Sequence, residues 1–376
     1  MKKIILKELI FQDTKIKFKK GLNYIIGSNG SGKTTIYNLI QFVLGRKKEI
    51  KSSFVINSFT SPITLLCTIG EREVTFQRNI NSEYITIQYD DTNESVKYFS
   101  SKLKDIYDYL FEPFFVFDNE KGAAYDIINN SFLSETRFDL TRGRNRSLKK
   151  MLGVNVSYIN QATNDYRELK NNLQNEKRSI ELLDEFINKI QYTNNEQQKV
   201  DSAKLKELLD KDYDVIVEKY TRTIEFLNLA DSVLYDKKEF LEEYLDKRIS
   251  FFEPYYWDLL SQLGVKKDSN SFRDFLKPKP LRSKTSSGYQ LYIESLCFML
   301  TLTRNISDEY HNGCGLLIND LSLFDIDNNS KNNFQKMIKN ETELGALQYI
   351  EFTTNYRKEL PKDTIVFDLD SLERFV

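Results

Sequence analysis

The stretch "GLNYIIGSNGSGKTTIYNLIQFVLG", residues 21–45, decides how the rest of the chain is read. It places Gly27, Gly30 and Gly32 within six positions of a chain that has 14 glycines, and Lys33, Thr34 and Thr35 follow at once. Ahead of the glycines, "LNYII" is apolar and partly β-branched, the composition of a buried strand. Behind them, Ile36, Leu39, Ile40 and Val43 recur at helical spacing. Strand, glycine loop and helix in this order predict that G-x-x-x-x-G-K-T, Gly27 through Thr34, is a phosphate-binding loop. The loop Gly27, Ser28, Asn29, Gly30, Ser31 and Gly32 can turn its N–H groups toward phosphate oxygens. The helix start at Lys33, Thr34 and Thr35 adds positive partial charge. Lys33 is expected to reach the β- and γ-phosphates of a nucleoside triphosphate, and Thr34 to ligand Mg2+.

At 376 residues the chain has room for two or three domains, or for one domain with a large insertion. Charged residues make up 29% and hydrophobic residues 40%, a globular rather than a disordered profile. A net charge of −1 excludes a global basic field, so any nucleic-acid surface has to be a local patch. Cys67, Cys297 and Cys314 are scattered without metal spacing, and His311 is the single histidine. This argues against a zinc site or a disulfide framework and for a reducing compartment. The opening "MKKIILKELI" is interrupted by Lys7 and Glu8, too early for a signal peptide. No apolar run approaches the roughly 20 residues of a membrane span. A cytoplasmic location with no membrane partner is expected.

The longer stretch "KFKKGLNYIIGSNGSGKTTIYNLIQFVLG" resembles the opening of the SMC, RecF and RecN group of ABC-type ATPases, where a short antiparallel strand such as "KIKFKK" leads into the loop. The resemblance implies an α/β fold: an ABC-type ATPase head with a mostly parallel sheet and an antiparallel N-terminal β-subdomain, interrupted by an inserted antiparallel coiled-coil hairpin. It also implies further motifs in a fixed order. "EPFFVFDNEKG", residues 112–122, looks like a buried strand, and Asn119 stands where the family carries a glutamine that senses Mg2+ and the attacking water. The amide of asparagine is one methylene shorter but offers the same donor and acceptor.

An arm is expected next. From Ile159, the residues Ala162, Tyr166, Leu169, Leu173, Ile180, Leu183, Ile187 and Ile190 follow alternating steps of three and four, with only Glu176 breaking the seam. Leu209, Tyr213, Ile216, Tyr220, Leu227, Ala230, Leu234, Leu241 and Tyr244 form a second series, with Thr223 and Lys237 as its polar positions. The polar "YTNNEQQKVDS" lies between them, so the two series predict an antiparallel hairpin rather than two helices of a compact bundle. No cysteine pair marks its tip, so the family's zinc hook is not expected. The boundaries are placed at 1–152 for the P-loop half of the head, 153–250 for the arm and 251–376 for the second half.

In "LRSKTSSGYQLYIESLCFML", Ser286, Ser287 and Gly288 resemble the family's signature motif at the start of a helix. In the family that helix tip binds the γ-phosphate held by the other subunit's P-loop, which implies a homodimer or higher homo-oligomer with ATP between heads. "CGLLINDLSLFD" supplies an apolar strand, an acidic end and a D-loop with Asp325. Two registers compete. Asp320 is the Mg2+-coordinating aspartate with Leu321 in place of the catalytic glutamate, or Asn319 fills the aspartate's place and Asp320 the glutamate's. The first is preferred because Mg2+ favours a carboxylate. After the next strand, "LQYIEFTTNYRKEL", Asn355 stands in place of the switch histidine.

Two basic stretches are candidates for DNA or another nucleic acid, with solvated loop charge as the equal alternative. One carries Arg137, Arg142, Arg144, Arg146, Lys149 and Lys150, and the other Lys266, Lys267, Arg273, Lys277, Lys279, Arg282 and Lys284. The resemblance favours an ATP-gated head dimer working with a nuclease or other effector partner in DNA repair or anti-phage defence. The alternative is a non-hydrolysing ATP-bound scaffold that restrains a toxic partner. A transporter-type ABC subunit is disfavoured by the arm and by Asn355. The departures at Asn119, Leu321 and Asn355 leave phosphate and Mg2+ binding intact but weaken water activation, a loss on the order of 10²–10⁴ in rate. Steady-state assay of the purified protein with Mg·ATP is therefore expected to show slow turnover; several turnovers per second would contradict it.

Overall fold

The computed structural model describes residues 1–50, 60–116, 120–133, 142–191, 196–265, 270–277, 288–306, 311–320, 328–354, 360 and 362–371. Its contacts divide the chain into two compact units, Met1–Asn155 with Leu245–Val376, and Val156–Tyr244.

The first unit holds two sheets. One is antiparallel and contains β1 (Ile4–Phe11), β2 (Thr14–Lys17), β4 (Ile63–Ile69), β5 (Arg72–Arg78), β6 (Tyr84–Tyr89) and β7 (Thr92–Lys97), in the order β2-β1-β4-β5-β6-β7. Burial alternates residue by residue along β4, as expected of a sheet with one face on the core. The other sheet is parallel throughout. It contains β3 (Leu22–Ile26), β8 (Phe132–Leu133), β9 (Leu316–Asn319), β10 (Gln348–Thr353) and β11 (Ile365–Asp368), in the order β11-β3-β10-β9-β8. Every residue of β3, β9 and β10 is buried, because both faces of this sheet are covered.

The two faces have different chemistry. On one, Ile25, Ile318, Ile350 and Phe352 share a core with Ile36, Leu39 and Ile40 of helix α1 (Lys33–Val43). Further helices of this unit are α2 (Ser101–Phe111), α3 (Ala123–Asn129), α4 (Arg142–Met151), α7 (Gly288–Thr303) and α8 (Asn328–Glu343). On the opposite face Tyr349 meets the Phe334 ring of α8, and the Asn319 amide donates to the Tyr292 hydroxyl of α7. The buried amide of Gln348 joins the two sheets. Its oxygen accepts from the Leu6 N–H (2.8 Å), and its nitrogen donates to the Leu6 and Lys19 carbonyls (2.9 and 2.7 Å).

Among the described residues 112–116, the expected strand does not form. In "EPFFVF" only Val116 makes an isolated parallel bridge, to Val154. The backbone of Phe114 instead pairs with the Asn312 side chain, whose oxygen accepts from the Phe114 N–H (2.8 Å) and whose nitrogen donates to its carbonyl (2.7 Å). A side chain has taken the place of a neighbouring strand.

The second unit is formed by α5 (Val156–Gln191) and the part of α6 (Glu196–Gln262) that falls within it. At 36 residues, α5 is about 54 Å long. The half-buried positions described in α5 include the heptad seam residues Ala162, Tyr166, Leu169, Leu173, Glu176, Ile180 and Leu183, and in α6 they include Tyr213, Ile216, Tyr220, Leu227 and Ala230. The seam's acid is matched across the hairpin: Glu176 pairs with Lys219 at 3.2 Å, and Asp184 accepts a hydrogen bond from Tyr213. The inserted antiparallel coiled-coil hairpin expected from the sequence is present.

Arg78 closes the far end of α1. Only 2% exposed, its guanidinium donates to the carbonyls of Phe42 (2.9 Å), Lys47 (2.8 Å), Lys48 (3.1 Å) and Ser82 (3.0 Å) and lies over the Phe42 ring. Burial pulls its pKa down to about 10, which leaves it charged at neutral pH. Arg78→Ala strands several buried carbonyls and is expected to cost about 3 kcal/mol in urea unfolding. Arg78→Lys should recover little of it, since one ammonium cannot span that set of acceptors; a variant with the wild-type midpoint would contradict this role.

Candidate nucleotide site

β3 delivers the chain into the glycine loop, and α1 leaves it. Gly30 and Gly32 adopt φ of 80° and 99°, the left-handed region open to glycine at little cost, and Gly32 is the N-cap of α1. The cap has no side-chain hydrogen bond, and the first turn carries no acid, so α1 begins with its amides uncapped by any side chain. Such an end is suited to an anion. Lys33 folds back along the loop, and its ammonium donates to the carbonyls of Gly27 (2.9 Å) and Ser28 (2.8 Å). Ser28, Asn29, Gly30 and Thr34 are exposed, Ser31 and Thr35 half-buried, and the Ser31 N–H donates to the Ser28 carbonyl at 3.2 Å. The Ser31 hydroxyl oxygen is buried without a partner among the described residues.

Asp320 lies at the end of β9. Burial pulls the Lys33 ammonium pKa down, and the carboxylates of Asp370 and Asp320 push it back up, so both acids act on the loop lysine. Asn319 is engaged elsewhere: its amide donates to the Tyr349 hydroxyl at 2.9 Å and to the Tyr292 hydroxyl at 3.3 Å, on the face away from α1. Side chains alternate along a strand, so the neighbour of Asn319 is directed to the α1 face. The Asp320 carboxylate therefore acts on the loop lysine, as either register of the sequence allows.

Behind the strand end lies a buried polar chain. The Tyr349 hydroxyl donates to a Glu351 carboxyl oxygen (3.1 Å), and Glu351 is level with Tyr24 in the next strand. Glu351 is 3% exposed, and burial pushes its pKa up to about 8 against the Tyr349 hydrogen bond, so at neutral pH it is mostly uncharged.

Asn119, Ser286, Ser287, Asp325 and Asn355 lie outside the described residues, and of Gly288 only its place as the first residue of α7 is described. The basic stretches are described in part. Lys150 is buried between Glu120 (3.0 Å) and Asp126 (2.6 Å), Arg273 pairs with Asp246, and Lys277 pairs with Asp274 at 2.7 Å. These three cations are matched within the fold rather than presented as a bare basic surface. Asp370, which the sequence reading did not single out, contacts the loop directly: the Ser28 N–H donates to both of its carboxylate oxygens (2.9 and 3.0 Å). An aspartate some 340 positions away carries no local signal of that contact.

A family model described as the AAA domain matches residues 9–249, well over half of the chain. The chain belongs to the AAA-domain family. Within it, the chain is 26% identical over 162 residues to a protein of Thermococcus kodakarensis named "DNA double-strand break repair Rad50 ATPase"; the match covers 42% of this chain and 17% of the length of that relative. Among solved structures, the Smc head domain with a coiled coil and joint from Pyrococcus yayanosii superposes with a TM-score of 0.50 at 13% identity, covering 94% of this chain and 92% of that one. An Smc head with an extended coiled coil from Pyrococcus furiosus, bound to the C-terminal domain of ScpA, gives 0.49 at 12% identity, covering 94% and 90%. The AAA-domain chain therefore has the fold of an SMC-type head with a coiled-coil insertion. No helix among its described residues is long and apolar enough to cross a membrane.

Glu351 makes the fold pH-dependent. Its neutral form is favoured in the folded chain, whereas in the unfolded chain it ionises near 4.5. The folded state then holds the extra proton between about 4.5 and 8, and stability falls as pH rises through that window. Glu351→Gln removes this contribution, so the unfolding free energy of the variant relative to wild type should climb from pH 5 to pH 8. Parallel stability profiles for the two proteins would rule it out.

Proposed function

We propose that this protein binds Mg·ATP in the loop Gly27–Thr34 and pairs with a second copy around the nucleotide, hydrolysing it slowly. The observation that carries the proposal is the uncapped start of α1 behind Gly30 and Gly32, with Lys33 stapled to the loop and Asp320 acting on that lysine from the end of β9. In this reading Lys33 and the loop amides neutralise the phosphates, while Thr34 and Asp320 hold Mg2+, with Asn119 close to the metal and the attacking water. Ser286 and Ser287, with Gly288 as the first residue of α7, and Asp325 engage the nucleotide held by the other copy. Asn355 takes the position of the switch residue. Membership of the AAA-domain family supports nucleotide binding.

The paired heads would gate a nucleic-acid-processing or effector complex in DNA repair or anti-phage defence. The Rad50 relative's name and the SMC-type head fold support the DNA-related part of this reading. A second reading, a non-hydrolysing scaffold that holds a toxic effector partner, is favoured by Leu321 directly after Asp320, where a catalytic glutamate is due. Turnover with and without DNA separates the two, since a scaffold shows no stimulation.

Two variants test the core of the proposal. Lys33→Ala is expected to abolish ATP binding in titration calorimetry. Ser287→Arg should bind ATP as wild type does yet stay monomeric in light scattering. Undiminished binding by the first, or ATP-dependent dimers of the second, would refute it.

A further inference from the structure

Resting on the nucleotide reading above, we propose that Asp370 is a positioning residue of the site: it grips the first turn of the loop from outside and holds it in the shape that receives phosphate. The grip is specific. Both Asp370 carboxylate oxygens accept from the Ser28 N–H (2.9 and 3.0 Å), and one also accepts from the Ser28 hydroxyl at 2.8 Å. The Lys33 ammonium holds the carbonyl of that same peptide, Gly27 at 2.9 Å, and the next one along, Ser28 at 2.8 Å. The segment Gly27–Ser28 is thus clamped on its donor side by a carboxylate and on its acceptor side by an ammonium. Charge-assisted bonds of this kind are about twice as strong as neutral ones.

The sheet delivers Asp370 to that position. β11 runs parallel to β3 with Asp368 level with Ile26, so the turn after β11 comes alongside the residues that follow β3. The turn braces itself: the Asp370 N–H donates to the Asp368 carboxylate (3.1 Å), and the Ser371 hydroxyl donates to the Asp368 carbonyl (2.6 Å). Leu369 is buried against the loop, where a Cβ added at Gly27 would lie 3.0 Å from the Leu369 Cβ and 2.3 Å from the Ser31 hydroxyl oxygen. Gly27 is therefore required by the approach of this turn and of Ser31, whereas Gly30 and Gly32, whose added Cβ would meet nothing within 4 Å, are required by their φ. Asp370 bonds to Ser28, ahead of the amides at the start of α1, and its charge also acts on the Lys33 ammonium. The last strand of the head thereby becomes part of the nucleotide site.

The test is binding of mant-ATP with Mg2+ to the purified full chain, followed by fluorescence. Asp370→Ala should weaken binding about tenfold, the size of one lost charged hydrogen-bond contact. Asp370→Asn keeps an acceptor oxygen and should restore much of it, a rescue that serves as a folding-competent second variant. Ser28→Ala and Asp370→Ala act through one contact, so the double variant should bind about as weakly as Asp370→Ala alone. Wild-type affinity in both Asp370 variants, or losses that simply add in the double variant, would overturn the inference while leaving the nucleotide reading intact. No binding by the wild-type protein would instead remove the nucleotide reading and this inference with it.

Discussion

The amides at the start of α1 find no side-chain cap, and the first turn brings no acid to their positive end. A helix left open in this way forgoes about 1 kcal/mol of capping stabilisation. The head compensates along the buried face of the helix and at its C-terminal end. Ile36, Leu39, Ile40, Phe42 and Val43 are buried in the core shared by the two sheets, and the buried cation of Arg78 binds the Phe42 carbonyl in the last turn and the Lys47 carbonyl just after it. A positive charge at that end is favourable to the helix dipole as well as to the carbonyls. The open N-terminus is tolerable because the remainder of α1 is over-determined.

The same logic divides the parallel sheet into an apolar face and a polar one. Ile25, Ile318, Ile350 and Phe352 meet α1, so the loop stands on a packed floor. Their neighbours in sequence, Asn319, Tyr349 and Glu351, form a hydrogen-bonded chain on the reverse side. Such a chain is costly unless its members are satisfied, and burial answers this by keeping the Glu351 carboxyl largely neutral. Fixing Asn319 on the reverse face fixes the direction of the strand end, and hence the side on which Asp320 emerges.

Much of this was legible in the sequence because it is encoded locally. The strand–loop–helix around Lys33 declares itself through glycine spacing and apolar periodicity, and the arm through its heptads, down to Glu176, whose break in the seam is matched by Lys219. The features that escaped are those whose partners lie far away in sequence. "EPFFVF" has strand composition, yet the Asn312 side chain satisfies Phe114, and no pattern near either residue announces it. Lys150 reads as part of a basic cluster, yet it is buried between two acids. Asp370 sits in an unremarkable turn, and its value depends on β11 lying beside β3, a fact of topology rather than of composition.

That topology constrains how the site is assembled. β3 carries the loop, but its two neighbours in the sheet, β10 and β11, both come from the C-terminal part of the chain, after the inserted hairpin. The loop therefore has no completed floor until the chain beyond the hairpin has returned, and closing so long a loop costs little extra free energy because the entropy grows only logarithmically with length. Once closed, Asp320 and Asp370 act on Lys33 together and offset part of the lowering that burial imposes on its pKa. The cation meant for phosphate thus stands in the field of two carboxylates that the C-terminal half supplies, so its electrostatic setting depends on both halves of the head being in place.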